Sequence, residues 1–138
     1  MPGTYEVKSA FIRIVRRVPG VFYEPVGRDE ECLNTVLVMH SDEDYLDIPT
    51  GEQLAKRGFR VLCANVMVKE GLFFTQVDKM KAVKSAIEYL RGLKRVKNII
   101  LMGHSGGATL MTAYQAIAEN GAKVFQGPEK FFPYPDNT

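Results

Sequence analysis

The stretch Lys97-Asn98-Ile99-Ile100-Leu101-Met102-Gly103-His104-Ser105-Gly106-Gly107 constrains this chain more than any other. An unbroken apolar run enters a glycine-flanked turn carrying one serine, and Ala108-Thr109-Leu110-Met111-Thr112-Ala113 leads out with helix-forming residues. The pattern fits G-x-S-x-G, a sharp strand-to-helix turn that lifts a serine hydroxyl above the edge of a sheet. Glycines two residues either side of the serine suit it, because the backbone passes too close to its neighbours for side chains. At this level a plain glycine-rich turn that lets a helix pack on a strand remains open.

The rest of the chain supplies the setting that such a turn needs. Residues 5–18 are rich in Val, Ile and Phe, with 11–15 the clearest strand; Pro19-Gly20 marks a turn, and residues 21–24 return as the second arm of an antiparallel hairpin. Residues 35–39, Thr-Val-Leu-Val-Met, form a short continuous apolar run, as expected for a strand buried on both faces. A helix is predicted from Pro49 to about Arg57, closed by Gly58, and a further buried strand over residues 59–64. The right-handed crossover rule makes these two strands parallel. Apolar residues Val77, Met80, Val83, Ile87 and Leu90 recur at helical spacing over residues 75–93, and Thr75 with Asp78 resembles a capping box. A strand over 98–102, the serine turn and a helix to Asn120 closed by Gly121 complete a second βαβ unit. Residues 122–138 carry Pro128, Pro133 and Pro135 among four aromatics and read as a loop packed on something.

A length of 138 residues suits one domain, and 46% hydrophobic residues suffice for a core. A net charge of +2, with no basic stripe, argues against a nucleic-acid or anionic-membrane partner. Two cysteines make no disulfide framework, the first residues lack the pattern of a signal peptide, and no apolar run is long enough to span a bilayer. The expectation is a cytoplasmic protein. Asp42, Glu43 and Asp44 are potential metal ligands, but no histidine cluster accompanies them, so they read as a solvated loop and no metal or cofactor is expected.

The strand and helix order, the loop opening His40-Ser41 and the Gly103-His104-Ser105-Gly106-Gly107 turn together resemble the α/β-hydrolase fold family. The similarity covers most of this chain but only about the first half of a usual member. It implies an α/β architecture: a partial doubly wound, mostly parallel sheet with an N-terminal antiparallel hairpin, residues 1–138 being the N-terminal portion. It also implies that Ser105 is the nucleophile and that the backbone N–H of Gly106 is one oxyanion donor. The second donor comes from the loop after the third strand, where Ser41 stands at a position that is usually glycine; the backbone N–H of Ser41 or Asp42 is the candidate.

Nucleophilic catalysis by serine needs a base to take the hydroxyl proton, and preorganised donors for the oxyanion. The family order is serine, then acid, then histidine, yet no histidine follows Ser105. His104 adjoins the nucleophile and should leave the turn in another direction. His40, at the carboxyl end of a parallel strand, is the better in-chain base, although the resemblance implies a loop-supporting role for it, and His104 reads as a packing or hydrogen-bonding residue beside the turn. Asp136 lies on the proline-rich tail rather than behind a recognisable strand and is not assigned as the acid. The expected function is therefore that of an esterase-like serine hydrolase acting on an ester or similar small acyl compound, through an acyl-enzyme at Ser105. Its acid and histidine would come from a second polypeptide or a missing C-terminal half. The alternative is a noncatalytic binding or scaffold domain that keeps the fold. Phosphate binding at the turn is disfavoured, because the P-loop lysine and the G-x-G-x-x-G spacing are both lacking.

Overall fold

In the computed structural model, the described residues are 4–15, 18–40, 43–66 and 76–121. They form, in order, β1 (Val7–Val15), β2 (Val18–Pro25), β3 (Leu33–Met39), α1 (Pro49–Lys56), β4 (Arg60–Ala64), α2 (Gln76–Arg91), β5 (Val96–Met102) and α3 (Gly106–Asn120). The strands make one sheet in the order β1-β2-β4-β3-β5. β3 pairs in parallel with β4 and β5, whereas β2 is antiparallel to both β1 and β4.

β3 and β4 are central, and their apolar runs are buried on both faces. Alternation along each strand divides the core in two. Leu37, Met39, Leu62 and Ala64 face α2 and α3, meeting Met80, Val83, Ile87, Leu90, Leu110, Met111, Tyr114 and Ile117. Val36, Val38, Val61 and Cys63 face the other way, against Ala55 and Leu54 of α1. The helices thus lie on both faces, and of the periodicity expected for α2, Met80, Val83, Ile87 and Leu90 are buried. Thr75 and residues 122–138 lie outside the described residues.

The hairpin differs from expectation. Pro19-Gly20 is not its turn; both residues sit inside β2, opposite Arg13 and Ile12, and the break falls between Val15 and Val18. Gly20 is there because β2 runs close beneath its neighbours: a Cβ would lie 3.0 Å from the Leu62 side chain and 3.1 Å from that of Ile14. Pro19 lies beside the irregularity between Arg13 and Val15 and just beyond the β2–β4 ladder, where a missing N–H costs least. The two arms are also longer than the apolar runs, since pairing continues from Val7↔Pro25 to Val15↔Val18.

One buried group at the amino-terminal end of the sheet has no counterpart in the sequence reading. Arg60 opens β4 and is only 1% exposed. Its Nε donates to Glu24 Oε1 at 2.9 Å, Nη1 to the carbonyls of Glu31 (2.6 Å) and Arg95 (2.7 Å), and Nη2 to those of Arg28 (2.8 Å) and Asp29 (3.2 Å). Arg95 Nη1 shares the Glu24 carboxylate at 3.0 Å. The planar fork of arginine can satisfy several acceptors at once. Here it ties β2, the loop after it and the entry to β5 to one point.

Candidate active site around Ser105

Ser105 joins β5 to α3 with φ 55° and ψ −121°, and among the described residues it is the one non-glycine residue at positive φ. Such a conformation costs about 1–3 kcal/mol and persists only where the surroundings enforce it. The turn is held by the N–H of Gly107 on the His104 carbonyl (2.9 Å), and by those of Ala108 (3.0 Å) and Thr109 (3.3 Å) on the Ser105 carbonyl. The flanking glycines are obligatory on steric grounds. A Cβ on Gly103 would lie 2.2 Å from the Gly107 carbonyl oxygen and 2.6 Å from the Ala108 nitrogen. One on Gly107 would lie 2.4 Å from the Met39 carbonyl oxygen. The first turn of α3 is therefore pressed against both the end of its own strand and the end of β3.

That packing leaves the Ser105 side chain exposed, with no capping hydrogen bond to α3. The N–H of Gly106 has no acceptor among the described residues. The first turn of α3 contains no acidic residue, so its partial positive charge is not neutralised from within the helix. A hydroxyl, an unused backbone donor and a helix N-terminus thus meet at one point of the carboxyl edge.

His40 is at the same edge, directly after β3, but its ring is turned to the service of its loop. It is 5% exposed, its Nδ1 accepts the Glu43 N–H at 3.1 Å, and its ring centroid lies 5.0 Å from that of Tyr45. An Nδ1 that accepts leaves the neutral ring's proton on Nε2, which is the wrong tautomer for a base working through Nε2. His104 is exposed and lines a cavity of about 180 Å³ on the α1 side, with Val38, Tyr45, Ile48 and Met102; Ser105 does not line it. Ser41 and Asp42 lie outside the described residues.

Asn65, directly after β4, is what holds the His40 loop in place. Its N–H bonds the Pro19 carbonyl (3.1 Å), its Oδ1 accepts the Tyr45 N–H (2.8 Å) and its Nδ2 donates to Asp44 Oδ1 (3.0 Å). The same Asp44 oxygen accepts the Leu46 N–H at 3.0 Å, and these bonds, that of Asn65 first, hold the Asp44 carboxyl below its usual range. Asp44 is thereby a turn-former. A polar amide placed directly after a buried strand was the available signal. Of the two cysteines, Cys63 is no competing nucleophile, since burial pushes its thiol up to about 12.

No protein-family model and no curated protein matches the chain. Solved structures do. Est1E from Butyrivibrio proteoclasticus superposes with a TM-score of 0.66 at 18% identity, covering 79% of this chain and 45% of Est1E. Esterase B from Lactobacillus rhamnosis, in a structure with a C4-C4 SN3 tributyrin phosphonate, gives 0.68 at 14% identity, covering 99% of this chain and 46% of that one. The chain spans less than half the length of either esterase. At such identities the likeness is one of fold.

Proposed function

We propose, from the α/β-hydrolase fold that this chain shares with those esterases, that it is the nucleophile-bearing N-terminal portion of a serine hydrolase acting on esters or related acyl compounds. The observation that carries the reading is the strained backbone of Ser105, enforced at a strand-to-helix junction by two glycines whose replacement meets backbone atoms. Nothing in the packing of α3 requires a serine in that conformation, and no side-chain cap repays the strain. Presentation of the hydroxyl gives the strain a use.

Ser105 Oγ attacks the acyl carbonyl, and the Gly106 N–H and the N-terminus of α3 receive the oxyanion, each such donor contributing about 3 kcal/mol. A second donor is assigned to the backbone at Ser41 or Asp42. Collapse of the tetrahedral species expels the leaving group and leaves an acyl-enzyme, which water hydrolyses. The acid and the histidine come from a segment or chain beyond these residues, in keeping with the length of the two esterases and with the loop-holding role of His40. The second reading is a noncatalytic binding domain, favoured by the presence of both histidines ahead of Ser105.

The two readings part in a kinetic assay on the assembly that includes the completing segment, with a short-chain p-nitrophenyl ester as substrate. Ser105→Ala is expected to lower kcat by about 10⁴-fold or more with KM little changed. Turnover that survives the substitution, or that is absent from the complete assembly, counts against the hydrolase.

A further inference from the structure

β1 lies at the opposite end of the sheet from β5, and among the described residues nothing pairs with its outer edge. Which of its backbone groups face outward follows from its neighbour. The Pro19 carbonyl accepts the Asn65 N–H, so Pro19 directs its backbone toward β4, while the Val26 N–H bonds the Glu6 carbonyl on the β1 side. Backbone polar groups alternate sides along an antiparallel strand. Gly20, Phe22 and Glu24 therefore bond Ile12, Ala10 and Lys8, their partners in register. The N–H and C=O groups of Ser9, Phe11 and Arg13 are left pointing away from the sheet. Among the described residues Phe11 is also the most exposed large hydrophobic, at 67%, and it pairs with Val21 on the α1 side. An unpaired edge that carries so bare an aromatic ring is a template for another strand.

We propose that β1 pairs antiparallel with β1 of a second copy of this chain, across a two-fold axis at Phe11, so that the two sheets run on into one. In that register the strand is complementary to itself, as a two-fold interface requires. Phe11 lies opposite the partner's Phe11 and Ser9 opposite the partner's Arg13. These are the outward-pointing residues, so each pair exchanges two N–H···O bonds, about six in all. On the other face Ala10 lies opposite the partner's Ile12 at the close spacing of a non-hydrogen-bonded pair, about 4.5 Å between Cα atoms, where a small residue suits a large one. Other registers fit less well. Centring on Ser9 or Ala10 brings Lys8 against Ala10 or Ile12 and leaves Phe11 without an aromatic partner. Centring on Ile12 sets Phe11 against Arg13 and carries the ladder into the irregularity between Arg13 and Val15, and centring on Arg13 opposes two guanidinium groups. With Phe11 on the axis, the two copies of Arg13 stand about 14 Å apart along the strands, beyond the screening length at physiological salt. Lys8 is already paired with Asp29. The sheet grows at the end away from β5, so the edge that carries Ser105 is left clear.

The pairing does not depend on Ser105 being a nucleophile. Sedimentation equilibrium on the intact protein tests it, with cysteine cross-linking to fix the register. Expected is a monomer–dimer equilibrium in the micromolar range, as for a small interface. Phe11→Asp should weaken it by about 100-fold or more, because two carboxylates then face each other on the axis. The side chain is exposed in one copy, so the fold of the variant, read by circular dichroism, should match the parent's. Cys32 is exposed and is first replaced by serine. In that background, oxidation with copper phenanthroline should convert Phe11→Cys to a covalent dimer, since Cα atoms opposed in a hydrogen-bonded pair are about 5.5 Å apart, within the reach of a disulfide. Ser9→Cys should stay largely uncrosslinked, its two copies being about 14 Å apart along the strands. A parent that remains monomeric throughout that range would overturn the proposal. So would a dimer that survives Phe11→Asp, which puts the contact on another face, or Ser9→Cys cross-linking as readily as Phe11→Cys.

Discussion

Gly103→Ala is expected to disable the serine turn and to destabilise the protein by about 3 kcal/mol or more. The added methyl would lie 2.2 Å from the carbonyl oxygen and 2.3 Å from the carbonyl carbon of Gly107. Both are backbone atoms of the first turn of α3, so no rotamer change relieves the overlap. The helix start has to move, and it is wedged against β3 at the Met39 carbonyl. A displacement of about 1 Å at a reacting group costs on the order of 10²-fold in rate, so reactivity at Ser105 should fall at least that far even in molecules that stay folded. Gly92→Ala serves as the control. Its methyl would meet nothing nearer than 3.4 Å, and the expected change is under about 1 kcal/mol. Urea unfolding of the two variants beside the parent measures the contrast; equal midpoints would mean that the turn is looser than its geometry implies.

Arg60→Met is expected to cost about 3–5 kcal/mol, the second large effect, with nothing to do with the serine. Methionine fills a similar length but takes the guanidinium donors away from the carbonyls of Arg28, Asp29, Glu31 and Arg95, of which those of Arg28 and Arg95 keep a backbone N–H, from Glu31 and Leu33. Glu24 keeps only Arg95 as a charged partner, and that residue is far more exposed than Arg60. Acceptors that lose a donor beside a side chain this buried pay part of their desolvation without return. Arg60→Lys should recover less than half of the loss, because an ammonium cannot span acceptors on both sides of a planar fork. The denaturant midpoint is again the readout. A loss below about 1 kcal/mol in Arg60→Met would show that water replaces the guanidinium at this end of the sheet.

The contrast between these two sites explains what the sequence could convey. The serine turn was legible because much of its constraint is local: Gly103, Ser105 and Gly107 lie within five positions, and the clash that demands glycine at 103 is with atoms of the same turn, although the one at 107 is with the end of β3. Helix ends were legible for the same reason, with Pro49 opening α1 and Gly121 closing α3. Arg60 was not, since its partners lie 29 to 36 positions away and a basic residue at the start of an apolar run looks like a solvated end. Pro19-Gly20 misled because the pair is usually read as a turn. Here the glycine answers the packing of Leu62, which only the assembled sheet brings near. His40 was correctly placed at the carboxyl edge by strand order, but its tautomer is set by the Glu43 N–H, a detail of loop conformation that spacing does not encode.

The central claim is that Ser105 is a nucleophile, and covalent labelling tests it most directly. The assembly containing the completing segment is treated with a fluorophosphonate and digested, and the modified peptide is sequenced by mass spectrometry. The account predicts one adduct, on Ser105, that disappears in Ser105→Ala. An assembly that remains unlabelled at Ser105, or that is labelled equally after the substitution, would contradict it.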